Sequence, residues 1–176
     1  MGSNAARDCN GAHAPRASTL GSYTRCTDFR STFVPGQAFI WTVRVYYEDT
    51  DTGGVVYYAN YLKFFERART EWLRAAGFAQ QSLAAEHGLQ FVVARLECDY
   101  LRPARLDDLI EIDVRVAQSG RASVVFEQTA RRGAEVLAQA RVRAGCVDTT
   151  TLAPKSMPAT LQRAIQSLIV PEPMTS

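Results

Sequence analysis

One segment limits the folds open to this chain more than any other. Residues 59–76 carry Tyr61, Phe65, Ala68, Trp72 and Ala75 at helical spacing. Leu62, Phe64, Leu73 and Ala76 widen that stripe well beyond a narrow surface face. A helix apolar on most sides must be surrounded. Arg67 and Glu71, four residues apart, are predicted to pair on the remaining polar edge. Gly77 is a natural stop. A second, shorter helix is predicted over residues 80–87, ending at Gly88. It is too small to enclose the first.

The rest of the chain must do the enclosing, and it alternates with period two. Trp41, Val43, Val45 and Tyr47 interleave with polar neighbours. Phe91, Val93, Arg95 and Glu97 interleave with Val92, Ala94, Leu96 and Cys98. Ile110–Val116, Val124–Gln128 and Val136–Cys146 repeat the pattern, with tight turns at Ser119-Gly120 and Arg132-Gly133. Short connections predict antiparallel hairpins. The order is strand, two helices, four strands, so a doubly wound parallel sheet is not expected. The predicted class is α+β, a curved antiparallel sheet wrapped around one helix. Ala138, Ala140 and Ala144 share a strand face and let a bulky helix come close. Residues 158–168 suggest a short terminal helix.

At 176 residues the chain predicts one domain. Its boundaries are read at 38–168, with residues 1–37 a disordered extension and 169–176 a flexible tail. The formal charge of +2 belongs to that extension, where Arg7, Arg16, Arg25 and Arg30 face Asp8 and Asp28. The remainder is balanced, so a nucleic-acid partner is not expected. No apolar run is long enough to span a membrane, and residues 1–37 lack the apolar h-region expected of a secretory signal. Cys9, Cys26, Cys98 and Cys146 lack zinc-site spacing and read as reduced thiols of a cytoplasmic protein. Only His13 and His87 offer imidazoles. Nucleophile-elbow, phosphate-loop and dinucleotide motifs are absent. Hydrolytic chemistry would have to rest on carboxylates.

The segment best suited to such chemistry runs from Tyr46 to Leu73. Glu48, Asp49 and Asp51 close a predicted strand, Gly53-Gly54 follow, and an aromatic stretch feeds the helix N-terminus. Free N–H groups there can hold an oxyanion or polarise a carbonyl. A loop carboxylate just before it can attack that carbonyl or activate a water. On local chemistry alone, a solvated acidic turn with favourable dipole placement remains open. A Mg²⁺ or Ca²⁺ loop also remains open, although Asp49-Thr50-Asp51 lacks the rest of an EF-hand.

The run Tyr-Glu-Asp-Thr-Asp, Gly-Val-Val-Tyr and Ala-Asn-Tyr-Leu-Lys-Phe-Phe-Glu-Arg-Ala-Arg-Thr-Glu closely resembles the hotdog-fold acyl-CoA thioesterases of the 4-hydroxybenzoyl-CoA thioesterase family. Within it the match is to the branch associated with the Tol–Pal system. The resemblance implies an antiparallel sheet around a central helix, and dimers or tetramers with active sites at the subunit interface. It implies no metal or organic cofactor. It places the catalytic aspartate on Asp51 and the helix-start position on Tyr58, whose backbone N–H would polarise the thioester. The Tol–Pal branch usually has His at that position, whereas the 4-hydroxybenzoyl-CoA branch tolerates Tyr.

Several assignments stay open. Asp49 shares strand parity with Asp51 and could face the same side. Glu66 and Glu71 on the helix are further candidates for the essential acid. Val55, Val56 and Tyr57 are candidates for substrate contact, and Arg121 for a coenzyme A phosphate, with Arg102, Arg105, Arg141 and Lys63 behind it. The expected function is hydrolysis of a short-chain or aromatic acyl-CoA. Alternatives are a scaffold that binds acyl carrier protein or phospholipid-synthesis partners with little turnover, and enoyl hydration using His87.

Overall fold

The computed structural model describes residues 38–169. The predicted extension, with Cys9, His13 and Cys26, and the tail beyond Ile169 lie outside the described residues. The elements run β1 (Phe39–Arg44), α1 (Tyr58–Ala75), α2 (Gln80–His87), β2 (Leu89–Tyr100), β3 (Leu109–Ser119), β4 (Ser123–Arg132), β5 (Glu135–Asp148) and α3 (Ala159–Ser167). The five strands form one antiparallel sheet in the order β1-β3-β4-β5-β2. This is the sheet around one long helix that the alternating patterns predict.

Helix α1 buries Tyr61, Phe64, Phe65, Ala68, Trp72 and Leu73. Phe64 and Phe65 are fully enclosed, each worth roughly 2–3 kcal/mol of transfer free energy. Ala75, counted in the predicted stripe, is instead exposed in the last turn. The helix ends in a Schellman arrangement. Gly77 N–H donates to Arg74 O and Phe78 N–H to Leu73 O, each at 3.0 Å, with Gly77 at φ +91°. The opposing sheet face offers Ile110, Ile112 and Val114, and then Ala130, Ala138, Ala140 and Ala144. These small side chains let the bulky helix approach the sheet.

Strand β2 departs from the predicted alternation. Its register with β5 shifts between Val93 and Arg95, with Val93 opposite Ala144 but Leu96 opposite Val142. One extra residue resets the phase. Leu96 and Cys98 therefore join Phe91 on the core face, while Arg95 and Glu97 turn outward and pair with each other at 2.5 Å. The predicted Arg67–Glu71 pair is also replaced. Glu71 instead pairs with Arg74.

β2 closes one end of the sheet and has no neighbour on its outer side among the described residues. Val92, Val93, Tyr100 and Leu101 are exposed along it. No helix among the described residues is long and apolar enough to cross a membrane.

Candidate active site

The acidic turn and the start of α1 are locked together by main-chain bonds. A single 3₁₀ turn, Tyr47–Asp49, interrupts the predicted strand. It breaks the parity that would place Asp49 beside Asp51. Asp49 is only 6% exposed, and its carboxylate accepts the Tyr46 N–H at 2.9 Å. Its carbonyl takes the Tyr57 N–H at 2.9 Å. Asp49 thus holds the turn, and its side chain is turned away from solvent.

Asp51 is exposed at the tip of the turn. Its main chain is pinned from both sides. Asp51 N–H donates to Val55 O at 2.9 Å, and Gly54 N–H donates back to Asp51 O at 3.0 Å. The carboxylate is oriented by the Gly53 N–H, which reaches Oδ1 at 2.8 Å. A Cβ added at Gly53 would stand 3.0 Å from that oxygen. Glycine is therefore needed here for close approach to the carboxylate. Gly54 has φ +71° with open space around it, so its requirement is conformational.

Val56 is buried, bridges Thr50, and donates its N–H to Ala104 O at 2.8 Å. It anchors the loop to the core. The helical ladder begins with Asn60 N–H on Tyr57 O at 2.8 Å. The N–H of Tyr58 precedes that ladder and is one of the terminal amides with no intrahelical acceptor. Asn60 itself is 5% exposed, and its side-chain amide donates to Asp49 O at 3.0 Å and to Glu48 O at 3.5 Å.

Tyrosines surround this helix start. The Tyr58 ring lies 4.6 Å from that of Tyr57 and 6.1 Å from that of Tyr100, and Tyr100 lies 5.7 Å from Tyr61. The hydrogen bond with Tyr58, then the Tyr58 charge, burial and the Asp51 carboxylate, push the Tyr57 hydroxyl above its usual value. Burial, followed by Cys98, pushes Tyr100 up to about 12. Both phenols stay neutral near pH 7. Burial also raises the Cys98 thiol, so it is a poor nucleophile.

The other candidates lie elsewhere in the single copy. Arg121 follows β3 at the end of the sheet opposite Asp51, about 30 Å away along the strand. It donates to Ser156 Oγ at 3.3 Å. His87 ends α2, before β2, a full strand length from Tyr100. Arg102 pairs with Glu135, and Arg141 with Glu127. Among the described residues no three His, Cys, Asp or Glu side chains converge as a metal site would require.

A cavity of about 110 Å³ opens along the second half of α1. Glu66, Arg69, Trp72, Phe91, Val92, Phe126 and Ile165 line it. It lies roughly 12–20 Å along the helix from Tyr58. Burial pulls the Arg69 guanidinium down to about 10, partly offset by the Glu66 charge. Sequence reasoning placed Gly53 in the turn without its bond to Asp51, and it missed Asn60, Arg69, Tyr100 and the support from Gln128. Asn60 and Gln128 did carry a signal, since each is a polar residue in an otherwise apolar pattern.

The chain is similar to known thioesterases. The thioesterase-like superfamily pattern matches residues 45–165. The acyl-CoA thioesterase YbgC of Haemophilus influenzae is 47% identical over 130 residues, covering 74% of this chain and 96% of that protein. The acyl-CoA thioester hydrolase YbgC of Escherichia coli is 46% identical, covering 70% and 92%. A probable thioesterase from Bartonella henselae superposes with a TM-score of 0.67 at 38% identity, covering 69% of this chain and all of the other.

Proposed function

The chain belongs to the thioesterase-like superfamily and is an acyl-CoA thioester hydrolase, and on that premise we propose that it cleaves short-chain or aromatic acyl-CoA through Asp51. The observation that carries this reading is the exposed Asp51 carboxylate, oriented by the Gly53 N–H and tied by its turn to the first turn of α1. The Tyr58 N–H polarises the thioester carbonyl and stabilises the oxyanion. Asp51 attacks the carbonyl carbon or takes a proton from a water that does so. The C–S bond breaks, coenzyme A leaves as its thiol, and water supplies the hydroxyl of the free acid. The Tyr58 ring, packed with Tyr57 and Tyr100, leaves the backbone N–H as the working group. That accounts for Tyr where the Tol–Pal branch usually has His.

The site is completed by a second copy. The cavity beside Phe91 sits near one end of β2, while Tyr100, beside the catalytic turn, ends the same strand. Antiparallel pairing of two β2 edges sets the Tyr100 end of one copy against the Phe91 end of the other. It also covers Val92 and Val93 and removes an exposed apolar edge. The acyl group enters the cavity of one copy while Asp51 of the other attacks. Arg121 reaches the coenzyme A phosphates only across that pairing. An engineered cavity of about 150 Å³ takes benzene, so about 110 Å³ suits a short acyl or a single ring. The half-buried Cys98 and buried Cys146 are unpaired thiols, in keeping with a cytoplasmic setting.

The test is thiol release from acetyl-, butyryl-, benzoyl- and palmitoyl-CoA by wild type and Asp51→Asn. We expect the short and aromatic substrates to react fastest and Asp51→Asn to lose about 10²–10⁴-fold in kcat. Full activity in Asp51→Asn would overturn the assignment. Absence of turnover on every substrate, with tight binding of acyl carrier protein, would favour the scaffold role.

A further inference from the structure

Arg69 has more hydrogen-bonding capacity than the described residues use. Its guanidinium makes one hydrogen bond, from Nη1 to Gln128 Oε1 at 2.6 Å. Gln128 is 1% exposed, and its amide nitrogen is held by Phe65 O at 2.9 Å. It can offer Arg69 only its oxygen, and it cannot turn away. Gln128 therefore fixes the guanidinium on the cavity wall. A guanidinium has five N–H donors and no acceptor. The donors not taken by Gln128 have no protein acceptor among the described residues. The facing walls, Phe91, Val92 and Phe126, are apolar.

We infer that Arg69 reads the distal end of the acyl group, donating to a neutral oxygen, either hydroxyl or carbonyl, carried a few carbons beyond the thioester. The inference rests on the reading that this cavity receives the acyl chain. In the empty cavity water meets the free donors. A plain alkyl tip expels that water and leaves the donors unpaired, whereas an oxygenated tip replaces it. A carboxylate is disfavoured because Glu66 stands on the same wall, its Oε1 accepting the Thr70 hydroxyl at 2.8 Å. The acyl class is thus short, neutral and oxygenated near its end.

Thioether analogues test this without turnover. Binding of S-butyl-CoA, S-(3-oxobutyl)-CoA and S-(3-carboxypropyl)-CoA is measured by calorimetry on the wild-type protein. The oxo analogue should bind about ten- to hundredfold tighter than the butyl one, and the carboxylate analogue no tighter than butyl. In Arg69→Met the oxo preference should collapse while S-butyl-CoA binding is kept or improved, a pattern that misfolding does not produce. The double variant Arg69→Met with Gln128→Leu leaves no buried amide oxygen without its donor, and should behave alike if the single variant fails to fold. Equal binding of the butyl and oxo analogues to wild type would overturn the inference. So would a preference that survives in the variants, or tightest binding of the carboxylate. Hydrolysis of acetoacetyl- and butyryl-CoA is measured in parallel. If neither is cleaved but the binding preference holds, the hydrolytic reading of this site fails and the role of Arg69 stands.

Discussion

The side-chain amide of Asn60 donates to the main-chain carbonyl of Asp49 at 3.0 Å, and through that bond the first turn of α1 grips the turn that carries Asp51. The same carbonyl takes the Tyr57 N–H at 2.9 Å. Two donors on one helix start thus set where the carboxylate stands relative to the terminal amides. An error of about 1 Å in such placement can cost about a hundredfold in rate.

Asn60→Asp keeps the shape and removes the side-chain amide donor, leaving only the Tyr57 N–H on the Asp49 carbonyl. It also places a carboxylate against the Asp49 and Glu48 carbonyls. We expect kcat on the best acyl-CoA to fall at least tenfold with KM little changed, and a lower Tm. A fall in Tm with unchanged kcat would reduce Asn60 to a purely structural residue.

Gly53 and Gly54 should separate by readout. Gly53→Ala puts a methyl group 3.0 Å from Asp51 Oδ1 and should lower kcat about tenfold or more with little change in Tm. Gly54→Ala meets no atom but must hold φ +71°. It should cost about 1 kcal/mol of stability, read by denaturant titration, with most activity kept.

Val93→Asp places a charge on the exposed apolar edge of β2. Sedimentation should show a monomer with native circular dichroism, and thioester hydrolysis should be lost. An active monomer would remove the second copy from the site.

Asp148 supplies a pH-dependent part of stability. Its carboxylate accepts the N–H groups of Thr150 and Thr151 and pairs with Lys155 Nζ, each at 3.0 Å. The Thr151 N–H first, then Lys155 and Thr150, hold its pKa well below the usual 3.8. A depressed folded-state pKa stabilises above the unfolded value, and that gain is lost as pH falls below it. Asp148→Asn should therefore melt lower than wild type near neutral pH, and the two curves should converge once pH drops well under 3.8. A gap unchanged by acid would contradict the linkage.

Much of this molecule is legible in its sequence, for physical reasons that differ by element. The helix is legible because Tyr61, Phe65, Ala68 and Trp72 repeat at 3.6 residues over about three turns, with Phe64 and Leu73 broadening the stripe. The strands are legible wherever one face is buried, as in Ile110, Ile112, Val114 and Val116. β2 is legible as a strand but its facing is not, because Phe91-Val92-Val93-Ala94 is apolar at every position and supports either phase. Asp49 and Asp51 share strand parity in the sequence, and only the 3₁₀ turn that ends at Asp49 buries the first and leaves the second exposed. Arg69 and Gln128 lie 59 residues apart, so their contact follows from the packing of α1 on β4, which no local pattern reports.

The bulge in β2 makes that strand more sensitive to length than to composition. Between Val93 and Arg95 the chain changes which parity faces inward. Downstream of it Leu96, Cys98 and Tyr100 lie opposite Val142, Ala140 and Ala138. Deleting one residue beyond the bulge, Leu96, while keeping the register from Leu89 would put Glu97 opposite Val142 and Asp99 opposite Ala140, where Leu96 and Cys98 now stand, and would turn Tyr100 to the other face. An acidic row would then face α1, and the aromatic wall of the helix start would turn to solvent. Point changes beyond the bulge do not shift this phase, so related chains should vary in residue type there far more readily than in residue number.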